Sequence, residues 1–301
     1  MRRWKPQATW RMGAAVAALI VAAAGLLAVL LPLRGLFGLA LEAWPIDGAL
    51  FWRTVAGLAL GLLTAVVTYR VAATFTLAYT MDRNGLYINW LGNRVVVPIH
   101  TITHIDRGLG AIQSSIRPAL GLGYLHGTMR LDDGRTLHRF STLPLNRALV
   151  VHTETALYAL APKAADAFLQ ELEQRRRLGP IQPLQASFVA GRIFGYTFWL
   201  DGMVQATLLL ATLINLMLLG WLMHAYPALP QFIDLHRDAS GILVPRHQIL
   251  FLPLAGLAMA LVNVALGMAI YRQLPVGARL LQSGTVLVQL LFGIAALTLL
   301  W

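Results

Sequence analysis

The sequence predicts an α-helical transmembrane protein with about five spans and an inserted α+β domain. Of its 301 residues, 57% are hydrophobic and only 12% are charged, about half the charged fraction of a typical soluble domain. The apolar residues form uninterrupted runs of about twenty, the length that an α-helix needs to cross a bilayer. Between the second and third runs, residues 74–177 instead show short apolar stretches separated by turn signals, which is typical of a small β-rich domain.

Residues 1–73 predict an N-terminal transmembrane hairpin. Basic residues without any acid precede the first span, at about 13–33: Arg2, Arg3, Lys5 and Arg11. A signal peptide also begins in this way, but an apolar run of this length favours a helix that is retained. Cleavage of this segment remains an open alternative. The second span, at about 52–70, has Trp52 and Tyr69 at its ends, where interfacial aromatic residues are typical.

Residues 74–177 predict about six or seven short strands and one helix. The strands are separated by turn signals: Asp-Arg-Asn-Gly at 82–85, Leu-Gly-Asn at 91–93 and Asp-Asp-Gly at 132–134. The glycine-rich stretch 107–126 is interpreted as a long loop. Pro162 suits the first turn of a helix at 163–177. We expect a small, partly open β-barrel, capped by this C-terminal helix because the helix would cover an otherwise open end.

Residues 178–202 are interpreted as a linker or interfacial segment, and residues 203–301 as a C-terminal membrane domain. Its spans are expected at about 203–224, 248–270 and 280–301, by the same criterion of apolar length. Asn263 lies inside the second of these spans, where an interhelical hydrogen bond is the simplest role for an amide side chain.

The distribution of basic residues predicts the orientation, because cytoplasmic segments of membrane proteins are enriched in arginine and lysine. The short segments 1–12 and 271–279 carry 4 and 2 basic residues, whereas 34–51 and 225–247 carry 1 and 2 over greater lengths. We therefore expect the N-terminus and the β-rich domain in the cytoplasm and the C-terminus outside. The expected location is the cytoplasmic (inner) membrane of a bacterium.

Several function classes find no support in the sequence. There is no cysteine, which excludes disulfides and cysteine-ligated metals. No G-x-S-x-G or phosphate-loop motif is present, so we expect a non-enzyme without catalytic residues or cofactors. The net charge of +11 is explained by basic cytoplasmic segments rather than by a nucleic-acid partner. His100 and His104 have a metal-ligand spacing, but a strand is predicted there. We interpret these and the scattered His126, His138 and His152 as solvated side chains, not a metal site.

Two sets of residues are candidate sites. The first set lies in the segments leading back to the membrane, where each basic residue near an anionic leaflet contributes about 1 kcal/mol. We expect it to contact lipid headgroups: Arg175, Arg176, Arg177 and Arg192. The second set lies in the loop 225–247, where carboxylates and imidazoles favour a divalent cation or a pH response: Asp234, His236, Asp238 and His247. A polar interfacial loop remains the alternative for the second set.

The β-rich region resembles a bacterial pleckstrin-homology-like (PH) domain. The resemblance rests on the order of three stretches: YTMDRNGLYINWLGNRVVVPIHTITHID, LDDGRTLHRF and TETALYALAPKAADAFLQEL. The final strand-to-helix signature is matched by Tyr158, Pro162, Ala165, Asp166, Phe168 and Leu172. The resemblance implies a small barrel with one C-terminal helix and no catalysis.

A second resemblance lies in the C-terminal third. The segment around 229–267 is similar to a membrane module of bacterial proteins related to toxin-immunity and signalling proteins, matched at Leu229, Pro230, Asp234, Leu252 and Pro253. It departs from that pattern at Arg237-Asp238, where a glycine is usual, although Gly241 follows.

Together these features predict a membrane-anchored scaffold, binding protein or accessory subunit of a membrane complex. Its expected partners are the lipid bilayer and other membrane proteins, or a second copy of the chain. Two alternatives stay open. One is a signalling or immunity-type sensor with an extracytoplasmic ligand loop at 225–247, and the other is a transporter component, which would need a polar cavity between the spans.

Overall fold

The structure is a computed structural model that describes residues 2–108, 125–131, 134–182, 184–189, 197–234 and 243–300. Within these ranges, five helices are long and apolar enough to cross a membrane: Trp10–Leu36, Gly48–Thr76, Gly202–Ala228, Arg246–Ile270 and Pro275–Leu299. These helices and a separate β-rich domain fit a multi-pass helical membrane protein, as the sequence predicts.

The chain divides into two compact units. The first unit comprises Met1–Leu26 and Leu60–Ile193, and the second comprises Leu27–Ala59 and Phe194–Trp301. The division falls inside the first two membrane helices, so each unit contains part of the N-terminal hairpin.

The first two long helices are α1 (Trp10–Leu30) and α2 (Gly48–Thr76). The threonines of α2 bond back to carbonyls of the preceding turn; Thr64 Oγ1, for example, donates to Leu60 O at 2.7 Å. Such internal bonds satisfy hydroxyl groups where no water is present. With 29 residues α2 is about 44 Å long, which exceeds the roughly 30 Å of a bilayer's hydrocarbon core.

The β-rich domain of the first unit contains two five-stranded sheets. The first sheet has the order β1-β2-β3-β4-β10 and is antiparallel. Its strands are β1 (Arg3–Trp4), β2 (Ala78–Met81), β3 (Gly85–Trp90), β4 (Asn93–Pro98) and β10 (Ser187–Val189). The second sheet has the order β5-β8-β9-β7-β6, with one parallel pair between β7 and β9. Its strands are β5 (Ile102–Arg107), β6 (Leu125–Arg130), β7 (Thr136–Ser141), β8 (Leu149–Thr153) and β9 (Ala156–Leu160).

No closed barrel forms among the described residues: the strands expected in a small, partly open barrel lie in two five-stranded sheets. Pro98 ends β4 and has no N–H to continue a ladder. The chain then passes through a 3-10 turn, Ile99–Thr101, before β5 begins in the other sheet. The free edge of β4 is instead occupied by β10, which lies in the segment expected to be a linker.

Two of the predicted turns are present as expected. Asp82 Oδ1 accepts hydrogen bonds from the N–H groups of Asn84 and Gly85, both at 2.8 Å, which closes the hairpin between β2 and β3. Leu91 and Gly92 both have positive φ, at 43° and 78°, and form the tight turn between β3 and β4. Residues 109–124 and 132–133, which belong to the predicted loop and third turn, lie outside the described residues.

The predicted C-terminal helix of the domain is α3 (Ala165–Leu178), and its apolar face fills the core between the two sheets. Phe168 and Leu172 are fully buried there. Tyr79 joins the two sheets: its hydroxyl donates to Phe140 O at 2.7 Å and accepts from Ala161 N at 3.2 Å. Burial raises the pKa of this phenol well above its usual range.

The N-terminal segment is part of this domain. Trp4 of β1 is only 5% exposed, and its ring meets Phe168 edge-on at 5.7 Å between centroids. Backbone hydrogen bonds follow, from Gln7 N to Ala161 O at 2.7 Å and from Lys163 N to Lys5 O at 2.9 Å. The residues expected only as a basic start therefore complete a sheet and fill its core.

The second unit is built on the helices α4 (Gly202–Ala225), α5 (Phe251–Ile270) and α6 (Pro275–Leu300). A short ribbon of β11 (Phe232–Asp234) and β12 (Leu243–Pro245) lies between α4 and α5 in the chain. Asp201 caps α4, accepting from the N–H groups of Met203 and Val204. It also accepts from Tyr271 Oη at 2.7 Å and Arg279 Nε at 2.8 Å, which ties the ends of the three helices together.

Amide side chains connect these three helices in their interior. Asn215 Nδ2 donates to Gln289 Oε1 at 2.8 Å, and Asn263 Nδ2 donates to Thr285 Oγ1 at 2.9 Å. The interhelical role expected for Asn263 is confirmed. Gly256 makes room for the first pair: a Cβ at this position would lie 2.5 Å from Gln289 Oε1. Small residues commonly permit such close approach of membrane helices.

Candidate functional site

A groove of about 510 Å³ on the first unit brings arginines from three distant segments together. Arg2 comes from the N-terminal segment, Arg83 from the turn between β2 and β3, and Arg175 from the last turns of α3. The groove is completed by Ala167, Gln170, Glu171, Gln174 and Leu178. It is therefore an open, polar and mainly basic surface.

Local contacts hold the walls of this groove. Arg175 pairs with Glu171, one turn earlier on α3, while Arg83 Nη2 approaches Leu178 O at 3.5 Å. Asn84 Oδ1 accepts from the backbone N–H groups of residues 181 and 182, at 2.9 and 3.0 Å, and so ties the end of α3 to the turn. The three arginines thus project from elements with fixed positions.

The predicted headgroup residues are only partly brought together. Arg175 lines the groove, whereas Arg176 donates from Nη2 to Thr103 O at 2.9 Å and so braces α3 against β5. Arg177 is exposed at the end of α3, and Arg192 lies outside the described residues. Arg2 was missed in this role, since a residue at the start of the chain carries no signal that places it beside α3.

A second group of residues lies on β5 and β8. His104 Nε2 is 3.4 Å from Asp106 Oδ2, and His152 Nε2 is 3.0 Å from the same oxygen. The two imidazole rings stack with centroids 3.9 Å apart. His152 is 5% exposed, so the interpretation of the histidines as solvated is wrong for this one. Burial, followed by the neighbouring His104, lowers the pKa of His152 and favours its neutral form.

The spacing signal between His100 and His104 does not produce a pair. His100 lies in the 3-10 turn that interrupts the predicted strand, while His104 lies within the bulge of β5 and meets His152 instead. His152 was overlooked because it is distant in sequence and because β8 is a central strand of its sheet, which buries it. His138 is half-buried on β7, and burial lowers the pKa of its imidazole.

The first unit carries a recognisable family domain. Residues 77–176 match the Bacterial PH domain family. The match runs from the residue before β2 to the last turns of α3 and covers about a third of the chain. Comparisons with curated proteins and with solved structures found no match. The PH resemblance seen in the sequence is confirmed, while the resemblance of the C-terminal module to toxin-immunity and signalling proteins stays a prediction.

The groove of the PH domain has the chemistry to hold an anion. Guanidinium groups donate several N–H bonds in a planar fork that matches phosphate and carboxylate oxygens. Two of the three arginines, Arg2 and Arg83, are exposed and accessible to such a ligand. The Glu171 carboxylate already engages Arg175, which lowers the net positive charge of the groove.

The predicted loop site of the second unit is only partly described. Asp234 ends β11, opposite Leu243 of β12, while His236 and Asp238 lie outside the described residues. His247 follows β12, and its Nδ1 lies 3.6 Å from Glu42 Oε1. Glu42 was not expected here, since it precedes His247 by some two hundred residues and nothing in the sequence links them.

His247 lines two cavities of the second unit. One, of about 350 Å³, is mostly apolar, with walls that include Trp44, Leu50, Met223 and Phe251. The other, of about 330 Å³, is more polar and is lined by Glu42, Tyr226, Gln231, Phe232, Pro245, Arg246 and His247. An apolar cavity beside a few polar groups is the usual form of a small-molecule site.

Proposed function

We propose that this chain is a non-enzymatic membrane protein whose PH domain is a binding module held at the bilayer surface. Its partner would be another membrane protein or a second copy of the chain. The continuity of α2 with the domain carries this proposal. Between the end of α2 and the start of β2 there is one residue, Leu77. Its N–H donates to Ala73 O at 3.0 Å, and both residues are buried in the domain core.

This junction is reinforced on both sides. The hydroxyl of Thr76, the last residue of α2, accepts a hydrogen bond from Leu91 N at 3.2 Å. The start of α1 follows β1 after a few residues, and β1 is paired with β2. Both helices of the first hairpin therefore leave the domain through short, bonded connections, which supports a fixed orientation of its surfaces relative to the helical segments of the same unit, 10–26 and 60–76.

A fixed orientation favours partners in the same membrane. A domain that cannot tumble presents the same surfaces to every neighbour, and confinement to the bilayer raises the effective concentration of membrane partners. The pairing of β1 with β2 also supports a topology in which the N-terminus and the PH domain share one side. With the basic segments at 1–12 and 271–279, we assign that side to the cytoplasm of a bacterium and the C-terminus to the outside.

Site-directed cross-linking tests the proposed association. Because the chain has no cysteine, Glu154→Cys and Lys163→Cys each introduce a single thiol on an exposed position of the PH domain. A photoreactive maleimide on these thiols, activated in native membranes, should give covalent adducts of defined mass. The cysteine-free parent, treated identically, is the control. Adducts absent from both variants, with only monomer recovered, would contradict the proposal.

The arginine groove of the PH domain is proposed to contact anionic lipid headgroups. Arg2, Arg83 and Arg175 supply the charge, and the exposed Arg177 and the predicted Arg192 would add to it. The test uses nanodiscs of mixed phosphatidylglycerol and phosphatidylcholine, with retained lipid measured by native mass spectrometry. Arg83→Ala combined with Arg175→Ala should reduce retained phosphatidylglycerol several-fold. Arg94 is exposed but does not line the groove, so Arg94→Ala should leave the amount of retained phosphatidylglycerol unchanged. Equal losses of this lipid in the double variant and in Arg94→Ala would refute the lipid contact.

A sensor is the second candidate function, and the cavities at His247 favour it. An amphiphile with an acyl chain and a small anionic head matches an apolar cavity beside Arg246 and His247. Titration of a fluorescent fatty acid into the full-length protein would test this. His247→Ala and Leu50→Trp, which fills the apolar cavity, should both weaken binding. Leu213→Trp, at an exposed position of α4, should leave it unchanged. Binding that is unaltered in the first two variants would exclude this site.

A further inference from the structure

We propose that His104, Asp106 and His152 form a binding site for a divalent transition-metal ion, with Zn²⁺ the best fit, which would bridge strands β5 and β8 of the PH domain. This site is independent of the partner and lipid contacts proposed above, since it uses none of their residues.

The register of the two strands brings the three residues together. Ile102 pairs with Thr153 and Ile105 pairs with Val151, so β5 has one residue more than β8 between these pairs. This is a β-bulge, a feature that re-aims side chains and is frequent beside functional sites. His104 lies within it, opposite His152, and Asp106 follows two residues later on the same face of β5.

The donor atoms have the spacing of metal ligands. Zinc bonds of about 2.0–2.1 Å in tetrahedral geometry place neighbouring ligand atoms roughly 3.3 Å apart. The Asp106 carboxylate oxygen lies 3.4 Å from Nε2 of His104 and 3.0 Å from Nε2 of His152. One ligand atom from each residue fits within 4.8 Å of both others. The two rings stack with centroids 3.9 Å apart and an interplanar angle of 25°, so the exposed His104 ring would rotate to point its Nε2 lone pair at an ion shared with His152 and Asp106.

The ring nitrogens of His152 are buried without an aligned hydrogen bond among the described residues, although Nε2 lies close to the Asp106 carboxylate. Buried polar atoms nearly always have a hydrogen-bond partner, so a buried ring nitrogen without one points to a ligand at that position. A metal ion would accept the lone pair of Nε2.

The surroundings of His104 also favour its Nε2 atom as the metal ligand. Its Nδ1 contacts Thr103 Oγ1 at 3.2 Å, which leaves Nε2 on the side of Asp106. A hydrogen bond to the second ring nitrogen is how proteins orient a ligating histidine. Two imidazoles and one carboxylate are borderline ligands that suit Zn²⁺, Co²⁺ or Ni²⁺ better than Mg²⁺ or Ca²⁺. Three protein ligands leave a coordination position for water or for a group on a partner.

Metal titration of the full-length protein, purified without a histidine tag and stripped with EDTA, tests the site. Zn²⁺ should bind with one equivalent and raise the melting temperature, and Co²⁺ should give visible absorption typical of nitrogen and oxygen ligation. His104→Ala removes an imidazole that is 56% exposed and Asp106→Asn neutralises a carboxylate that is 51% exposed, so the fold should survive both. Each should lower the affinity at least ten-fold and abolish the thermal shift.

His100→Ala is the matched control, because it removes an exposed histidine of the same segment that lies outside the cluster. It should bind Zn²⁺ as the parent does. Absence of saturable binding in the parent would overturn the proposal. Affinities of the His104→Ala and Asp106→Asn variants equal to that of the parent would do the same.

Discussion

Replacement of Trp4 by alanine should unfold the PH domain far more readily than its position near the start of the chain suggests. The indole is 5% exposed, stacks edge-on against Phe168, and has the Arg2 guanidinium 4.2 Å from its ring centroid. Truncation of a buried tryptophan to alanine costs about 3–5 kcal/mol, which includes the aromatic contact. Within the described residues the indole N–H has no hydrogen-bond partner, so its loss returns about 1–3 kcal/mol. A net cost of about 2 kcal/mol is expected, within bounds of about 0 to 4 kcal/mol.

Hydrogen exchange of the full-length protein in nanodiscs measures this loss. Amides of β8 and β9 lie in central strands and exchange only when the domain opens, so a loss of about 2 kcal/mol should accelerate them roughly 30-fold. Trp4→Phe keeps an aromatic ring and removes the unpaired N–H, so it should remain within about 1 kcal/mol of the parent. Trp10→Ala, at a side chain that is 79% exposed, is the control and should not change exchange in β9.

The reasoning would be refuted if Trp4→Ala left exchange of β8 and β9 unchanged. That outcome would mean that β1 opens separately from the rest of the domain, and that the N-terminal segment contributes nothing to its cooperative stability.

Three further outcomes are expected. Gly256→Ala should destabilise the second unit by about 1–3 kcal/mol, because the added Cβ overpacks against an amide side chain. Gly284→Ala is the control and should not change stability, because nothing lies within 4 Å of its added Cβ. Melting curves in detergent compare the two variants. Tyr79→Phe should cost about 1–3 kcal/mol in domain stability, measured by hydrogen exchange, because a buried carbonyl and N–H lose their shared partner. Hydrogen bonds from a tyrosine, then from an arginine, hold the pKa of Asp201 at about 2, below its ordinary 3.8. Its ionised form therefore stabilises the fold above about pH 4, and this contribution disappears as the pH falls towards 2. Asp201→Asn should lower the melting temperature at pH 7 and reduce its dependence on pH in that acid range; an unchanged acid profile would contradict the assignment.

The membrane spans and tight turns were predictable because they depend on local sequence. A run of about twenty apolar residues spans a bilayer whatever the rest of the chain does. Likewise, Asp82 closes its turn through the N–H groups of residues two and three positions later. The order of such local signals was enough to indicate a PH domain between residues 74 and 177, close to the matched segment 77–176.

The division of the strands into two sheets is not visible in the sequence. Strand patterns reveal which segments are extended but not which edges pair. β4 finds its second neighbour in β10, about ninety residues later, rather than in β5. The histidine cluster also depends on strand pairing that the sequence does not show. His104 and His152 are nearly fifty residues apart, and a one-residue bulge in β5 decides that they meet.

The sequence by itself determined the five apolar helices found among the described residues and the PH domain that lies between the second and third of them along the chain, because burial in lipid and turn formation are decided within short stretches of chain. The tertiary structure alone decided that Trp4 belongs to the domain core, that Arg2 and Arg83 join Arg175, and that His152 is buried beside Asp106. These are contacts between residues remote in sequence, and they form only when strand pairing and helix packing bring distant segments together.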